Sequence, residues 1–321
     1  MRTPEQPGTA GPPRTPGTPG KSTLGFVGLG NMGGRIVRRL TAAGYAVRGF
    51  DAAPGRAAAC GATAAHSLAE VAQQADIILL SLPDSRVVET VVEGDDGLLA
   101  HARSGQIVVD LSTAAASSTM RLCRRFAERG AIYIDAGISG GAAAAEKGTL
   151  TLMVGGDKAA ADQLAPVFAP FSSKVVYMGP SGAGHTTKLL NNFLNAVSLA
   201  ATAEVMVAGK KAGLDLHQLL DVINSSSGVN FATLNRFPKI VDGDYLEGGL
   251  TGKLMTKDVV LYVERLRELG VSSLNAAGPM ASFGLGTALG YGDQISNRVV
   301  DAIGDVSGGV RLHSSPRKET P

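Results

Sequence analysis

The stretch TLGFVGLGNMGGRIVRRLTAAG (23–44) constrains the fold more than any other part of the chain. An apolar run, LGFV, enters the pattern GLGNMG (28–33), which opens straight into a helical segment. Strand, glycine turn and helix in that order build a cradle for a pyrophosphate. The glycines allow a tight turn, close backbone approach and tight helix–strand packing. The free N–H groups of the helix N-terminus then face the anion. Gly28, Leu29, Gly30, Asn31, Met32 and Gly33 are therefore candidate cofactor contacts. Asp51 follows the next apolar run, 18 residues after Gly33, where an acid reaches a ribose 2′-hydroxyl. A carboxylate there repels a 2′-phosphate, which favours NAD over NADP; Arg56, close by, keeps NADP open.

The rest of the chain repeats the same alternation as far as about residue 184. Apolar runs at 24–29, 45–50, 76–82, 106–111, 131–136, 149–155 and 174–178 are separated mostly by helical stretches. This predicts an α/β fold with a Rossmann-type, doubly wound parallel sheet. After 184 no strand signal remains. Residues 187–213 read as one long helix closed by Gly213, and further helical segments follow through about 304. The expected organisation is a Pro/Gly-rich disordered extension over 1–22 and a nucleotide-binding domain over 23–184. An all-α domain for substrate and oligomerisation follows over 185–312, entered by the long interdomain helix, and then a disordered tail over 313–321.

Composition narrows the class. Hydrophobic residues make up 44% and charged residues 18%, as in a soluble globular protein. The net charge of +2 and the absence of a basic, aromatic-laced surface argue against nucleic acid as a partner. No segment approaches the roughly 18 consecutive apolar residues of a membrane span, and the N-terminus lacks the apolar core of a signal peptide. Two cysteines and scattered histidines make neither a disulfide framework nor a metal site. A cytoplasmic setting fits.

The stretch GPSGAGHTTKLLNN (179–192) nearly spells a P-loop, but His185 stands where the lysine belongs and Lys188 arrives three residues later. DLST (110–113), DAGISGG (135–141), EKGTLTLMVGG (146–156), this glycine–lysine–asparagine stretch and KLMTKD (253–258) occur in that order behind GFVGLGNMG. As an ordered set they resemble the β-hydroxyacid dehydrogenase family over about residues 23–305. The resemblance implies a nicotinamide-dependent oxidation of a small carboxylate-bearing hydroxy acid, or reduction of its semialdehyde or keto acid. It implies Lys188 as general acid/base, Asn192 as the residue holding substrate and lysine, and Ser139, Gly140 and Gly141 as the grip on the substrate carboxylate. Thr113 is placed near the nicotinamide ribose, Leu82 and Pro83 among the cofactor contacts, and Lys257 and Asp258 between cofactor and substrate. Gly137 and Ile138 depart from the family's Pro-Val, Ala116 from a proline, and Leu250 from an aromatic. The first two departures and Ala116 are expected to loosen backbone without altering the chemistry; Leu250 weakens the transfer of any particular substrate.

The residues support part of this chemistry by themselves. A lysine transfers protons near neutral pH when burial or a nearby cation lowers its pKa. Lys188 sits in a mostly apolar helix at the expected domain junction, and Asn192, at i+4, shares its face. Two other readings stay open: an imine reductase on the same fold, against which Lys188 counts, and a non-catalytic nucleotide-binding scaffold. The long helix has more apolar residues than one face needs, which predicts a homodimer or homotetramer.

Overall fold

The seven apolar runs become strands of one sheet in the computed structural model of the chain, which describes residues 23–313. The expected extension over 1–22, and all of the expected tail except His313, lie outside those residues. The strands are β1 (Thr23–Val27), β2 (Ala46–Phe50), β3 (Thr63–Ala64), β4 (Ile77–Leu80), β5 (Ile107–Asp110), β6 (Ile132–Ser139), β7 (Leu150–Gly155) and β8 (Ser172–Gly179). Their spatial order is β3-β2-β1-β4-β5-β6-β7-β8. β3, two residues long and exposed, is the strand that left no apolar signature. The chain winds outward from β1 to β3, then crosses back to β4, so the order reverses between β1 and β4. That is where open α/β sheets bind their ligands.

Every residue of β4 and β5 is buried. Alternate side chains feed two separate core layers: Leu79 and Val109 pack with Leu24 and Phe26, while Ile78, Leu80 and Val108 pack with Val27 and Tyr133. A central parallel strand covered on both faces must be apolar throughout, which is why these runs were legible.

One pairing departs from the wholly parallel sheet expected. β6 and β7 run antiparallel, with Asp135 opposite Gly155 and Ser139 opposite Thr151. The segment between them, 140–149, is shorter than the roughly dozen residues that a parallel crossover needs. The chain therefore turns back through one short helix, Gly141–Lys147.

The long helix spans Ala183–Lys211, beginning four residues before the expected start and ending two before the expected end. Its first turn lies on β6 and β7. Its later turns are the axis of the helical layer, where Ala196, Leu199, Ala203 and Met206 pack with Phe237, Met255, Phe283 and Val300. Around it stand helices Leu216–Asn224, Phe231–Asn235, Phe237–Ile240, Gly252–Leu269, Ala277–Ala288 and Val299–Val306. Among the described residues no helix is long and apolar enough to cross a membrane.

Candidate active site

The glycine loop is built as its sequence requires. Gly28 follows β1, donates its N–H to the carbonyl of Phe50 at 2.9 Å, and has φ +90°. A methyl group there would lie 2.3 Å from the Ser81 carbonyl oxygen, and one at Gly33 would lie 1.9 Å from that of Gly28. Packing within the protein explains both glycines. Gly30 is different: a methyl group there would meet only Arg56 Nη1, at 3.2 Å, so this side of the loop is open. The helix Gly33–Ala42 behind it has no side-chain cap. Gly34 donates its N–H to the Gly30 carbonyl at 2.9 Å, and no side chain among the described residues takes up the N–H groups of the first turn, an end suited to an anion. The open cradle and the uncapped helix fit a dinucleotide pyrophosphate.

The Asp51 carboxylate accepts from the N–H groups of Leu29 (2.7 Å) and Ala53 (2.8 Å), so it fixes the loop. Arg56 Nε lies 3.8 Å from it. Beside the loop is a small cavity of about 140 Å³, lined in part by Gly30, Asn31, Arg35, Arg38, Arg56 and Cys60. Arg35 and Arg38, spaced along the first helix, went unread as part of this site. Asn31 reaches the helical layer, donating through Nδ2 to the carbonyl of Gly248 at 2.8 Å.

Strand β6 organises the other half of the site. Residues 135, 137 and 139 alternate onto one face of the strand. Asp135, fully buried, accepts from the N–H groups of Gly182 (2.8 Å) and His185 (2.9 Å) and so holds the start of the long helix. Gly137 is the contact point: a methyl group would lie 2.6 Å from Lys188 Cβ and 3.2 Å from its Cγ. Gly184, on the helix side, would bring one to 2.3 Å from the Met153 carbonyl oxygen. The glycines let helix and strand close on each other, so the Gly137 departure does more than loosen backbone: it bears directly on where Lys188 sits. Ser139, two residues on, shares that face, and Gly140 and Gly141 continue it with φ +125° and +68°. Ala116 is the first residue of helix Ala116–Ala127 and is buried, a position where alanine and proline are both accommodated.

Lys188 is half-buried. Burial draws its ammonium from the usual 10.5 down to about 8; the Asp258 carboxylate opposes that shift and the Lys257 charge adds to it. Asn192 is buried on the same helical face and donates through Nδ2 to Asp258 Oδ2 at 2.5 Å. Asp258 Oδ1 lies 3.1 Å from Lys257 Nζ yet carries no hydrogen bond. Lys257 itself bridges the two layers, donating to the carbonyls of Pro83 (3.0 Å) and Thr113 (2.9 Å). Leu82 stands behind Gly28, with its N–H on Ser112 Oγ at 2.9 Å. Lys188, Asn192, Lys257, Asp258, Thr113 and Pro83 thus meet where the long helix leaves the C-terminal ends of the strands. Leu250 packs on the helical core.

His185, read from sequence as a polar residue at a helix entry, is fully buried between Thr119 Oγ1 (2.7 Å) and the carbonyl of Asp110 (3.2 Å). Asp110 fixes the adjoining loop, as expected of an acid at a strand end, by accepting from the Ser112 N–H and the Tyr133 hydroxyl, both at 2.9 Å.

Known proteins share this fold. Residues 23–179 match the family model described as the NAD binding domain of 6-phosphogluconate dehydrogenase. Residues 182–302 match the one described as NAD-binding of NADP-dependent 3-hydroxyisobutyrate dehydrogenase. The chain is similar to 2-(hydroxymethyl)glutarate dehydrogenase of Eubacterium barkeri, 35% identical over 89% of this chain and 96% of that one. It is also similar to the NAD-dependent L-serine dehydrogenase of Pseudomonas aeruginosa, 38% identical over 82% and 89%. Among solved structures, Mycobacterium tuberculosis 3-hydroxyisobutyrate dehydrogenase with L-serine superposes with a TM-score of 0.79, at 30% identity, over 87% of this chain and 98% of that one. With glycine loop, lysine helix and helical layer all matched, the chain belongs to the β-hydroxyacid dehydrogenase family.

Proposed function

We propose that this protein is an NAD-dependent oxidoreductase that interconverts a small β-hydroxy acid and its semialdehyde or keto acid, with Lys188 as the general acid/base. The observation that carries the reading is the contact of the Lys188 stem with Gly137, which sets a lysine of lowered pKa on the strand face that also bears Ser139.

In this reading Ser139 and the backbone of Gly140 and Gly141 hold the substrate carboxylate. The bound nicotinamide coenzyme supplies the hydride acceptor. Neutral Lys188 takes the hydroxyl proton at Nζ during oxidation and returns it during reduction. Asn192 and Asp258 hold the lysine and the substrate hydroxyl in register, and Lys257 keeps the Pro83 and Thr113 loops against the helical layer. Gly28, Leu29, Gly30, Asn31, Met32 and Gly33 carry the pyrophosphate, with Asp51 on the ribose. The Asp51 carboxylate favours NAD, although the Arg35, Arg38 and Arg56 cluster offsets part of its repulsion of a 2′-phosphate. The relatives act, by their names, on L-serine, 3-hydroxyisobutyrate and 2-(hydroxymethyl)glutarate. All are compounds with a hydroxymethyl group beside a carboxylate-bearing carbon.

The unit in solution is proposed to be a homodimer or homotetramer, cytoplasmic, built on the long helix. Leu190, Leu194 and Val205 are 43%, 68% and 45% exposed along it, and Phe231 and Leu234 extend the apolar surface. A surface of this kind on a soluble chain marks an association site.

Three outcomes are expected. In the first, Lys188→Ala lowers kcat by several orders of magnitude while NAD affinity, read by titration, stays within about threefold; turnover like wild type rejects the assignment. The same titration on wild type should give NAD at least about tenfold tighter binding than NADP. Second, because oxidation needs the neutral lysine, kcat/KM for alcohol oxidation should rise with pH through about 8 and level off above it. Asp258→Asn removes the charge that holds the value up, so its midpoint should fall; a rise or no shift contradicts the coupling. Third, light scattering should find an oligomer that Leu194→Glu weakens, and a monomeric wild type refutes the interface.

A further inference from the structure

Arg236 carries a charge that no acid among the described residues balances, though its guanidinium stands over the Phe231 ring, 5.8 Å from the ring centre. Of the four half-buried arginines in the helical layer, Arg265, Arg298 and Arg311 are each ion-paired with an acid. Arg236 has no carboxylate partner among the described residues. Its Nη1 donates to Asn297 Oδ1 at 2.7 Å and its Nη2 to Asn195 Oδ1 at 3.0 Å. Those two bonds engage two of five N–H donors. Burial pulls the group down to about 10, with no neighbouring carboxylate opposing it. It remains a full positive charge near neutral pH.

Its position relates it to the reacting end of the site. Asn195 is seven residues after Lys188, so the two lie within about 20° of each other around the long helix and about 10 Å apart along its axis. Asn192 borders that line on its buried side, where it meets Asp258, and Asn191 borders it on the exposed side. The line from Lys188 to Asn195, both half-buried, therefore runs between the buried and the exposed sides of the long helix. At its far end the guanidinium is held in place: Asn297 is buried and pinned through Nδ2 to the carbonyl of Tyr245 at 2.8 Å. Two asparagine oxygens orient the fork without neutralising it, which leaves its charge for an anion that comes and goes.

We propose that Arg236 is a specificity-determining residue that binds a second acidic group of the substrate, so that this enzyme takes β-hydroxy acids bearing an additional carboxylate in preference to simple monocarboxylates. The proposal rests on the oxidoreductase reading above for the identity of the reacting end. The first carboxylate sits at Ser139–Gly141, the hydroxyl at Lys188, and the side arm runs along the long helix to a bidentate contact with Arg236.

The test compares 2-(hydroxymethyl)glutarate with 3-hydroxyisobutyrate, which share the reacting end and differ in the second carboxylate. Wild type should favour the dicarboxylate in kcat/KM. Arg236→Leu should reduce the ratio of dicarboxylate to monocarboxylate kcat/KM by at least about thirtyfold, mainly through KM. Arg236→Lys should retain part of it. An unchanged ratio, or no preference in wild type, overturns the proposal. A binding measurement separates this from failure of the activity itself: with NAD present, glutarate should raise the Tm of wild type more than butyrate does, and Arg236→Leu should abolish the difference. If no hydroxy acid is turned over yet that difference is found, the anion site stands and the activity reading falls. If monocarboxylates are turned over and glutarate gives no Arg236-dependent shift, the activity reading stands and the anion site falls.

Discussion

The buried carboxylate of Asp135 is the interaction on which the site depends. It lies midway along β6, out of water, and accepts from two N–H groups at the start of the long helix. A helix of 29 residues would otherwise begin with unsatisfied donors at the junction of two layers. A negative charge at a helix N-terminus is also favoured by the helix dipole. One carboxylate and the two N–H groups it accepts from thus fix both the entry point and the direction of the helix that carries Lys188. The period of the strand does the rest: Asp135 anchors, Gly137 gives the lysine stem room, and Ser139, proposed to meet the substrate, follows on the same face of β6.

The same economy appears on the cofactor side. Asp51 accepts from the Leu29 N–H, so the residue proposed to favour NAD also shapes the loop proposed to hold the pyrophosphate. Lys257 and Asn31 tie the helical layer to that loop region through the carbonyls of Pro83, Thr113 and Gly248. Each contact crosses between the layers, so the cleft between them is framed by backbone carbonyls held at short range.

Much of the fold was legible in the sequence because a two-sided parallel sheet writes itself as continuous apolar runs, and β4 and β5 show this in pure form. β3 was missed because two exposed residues leave no pattern. The reversal of β7 follows from the length of the segment before it, not from the composition of the strand. In the site, residues whose chemistry is named by their type were readable: a lysine with an asparagine one turn on, an acid after the second strand. The residues that act by shape or by long-range partnership were not. The importance of Gly137 lies in an absent methyl group 2.6 Å from another side chain. That of Asp135 lies in donors 47 and 50 residues away. Arg236 stands out only once its neighbours are seen to be amides and not acids.

Through the seat it gives the long helix, the Asp135 anchor is proposed to set Lys188 in its working position. Asp135→Asn keeps the shape of the side chain, removes its charge and leaves one acceptor oxygen for two N–H donors. The direct measurement is the pH profile of alcohol oxidation by this variant, alongside its NAD affinity. NAD binding should stay within about threefold of wild type, with kcat lower by about tenfold or more and the profile midpoint displaced from about 8, if the anchor seats the lysine. A folded variant with the wild-type kcat and midpoint would contradict it.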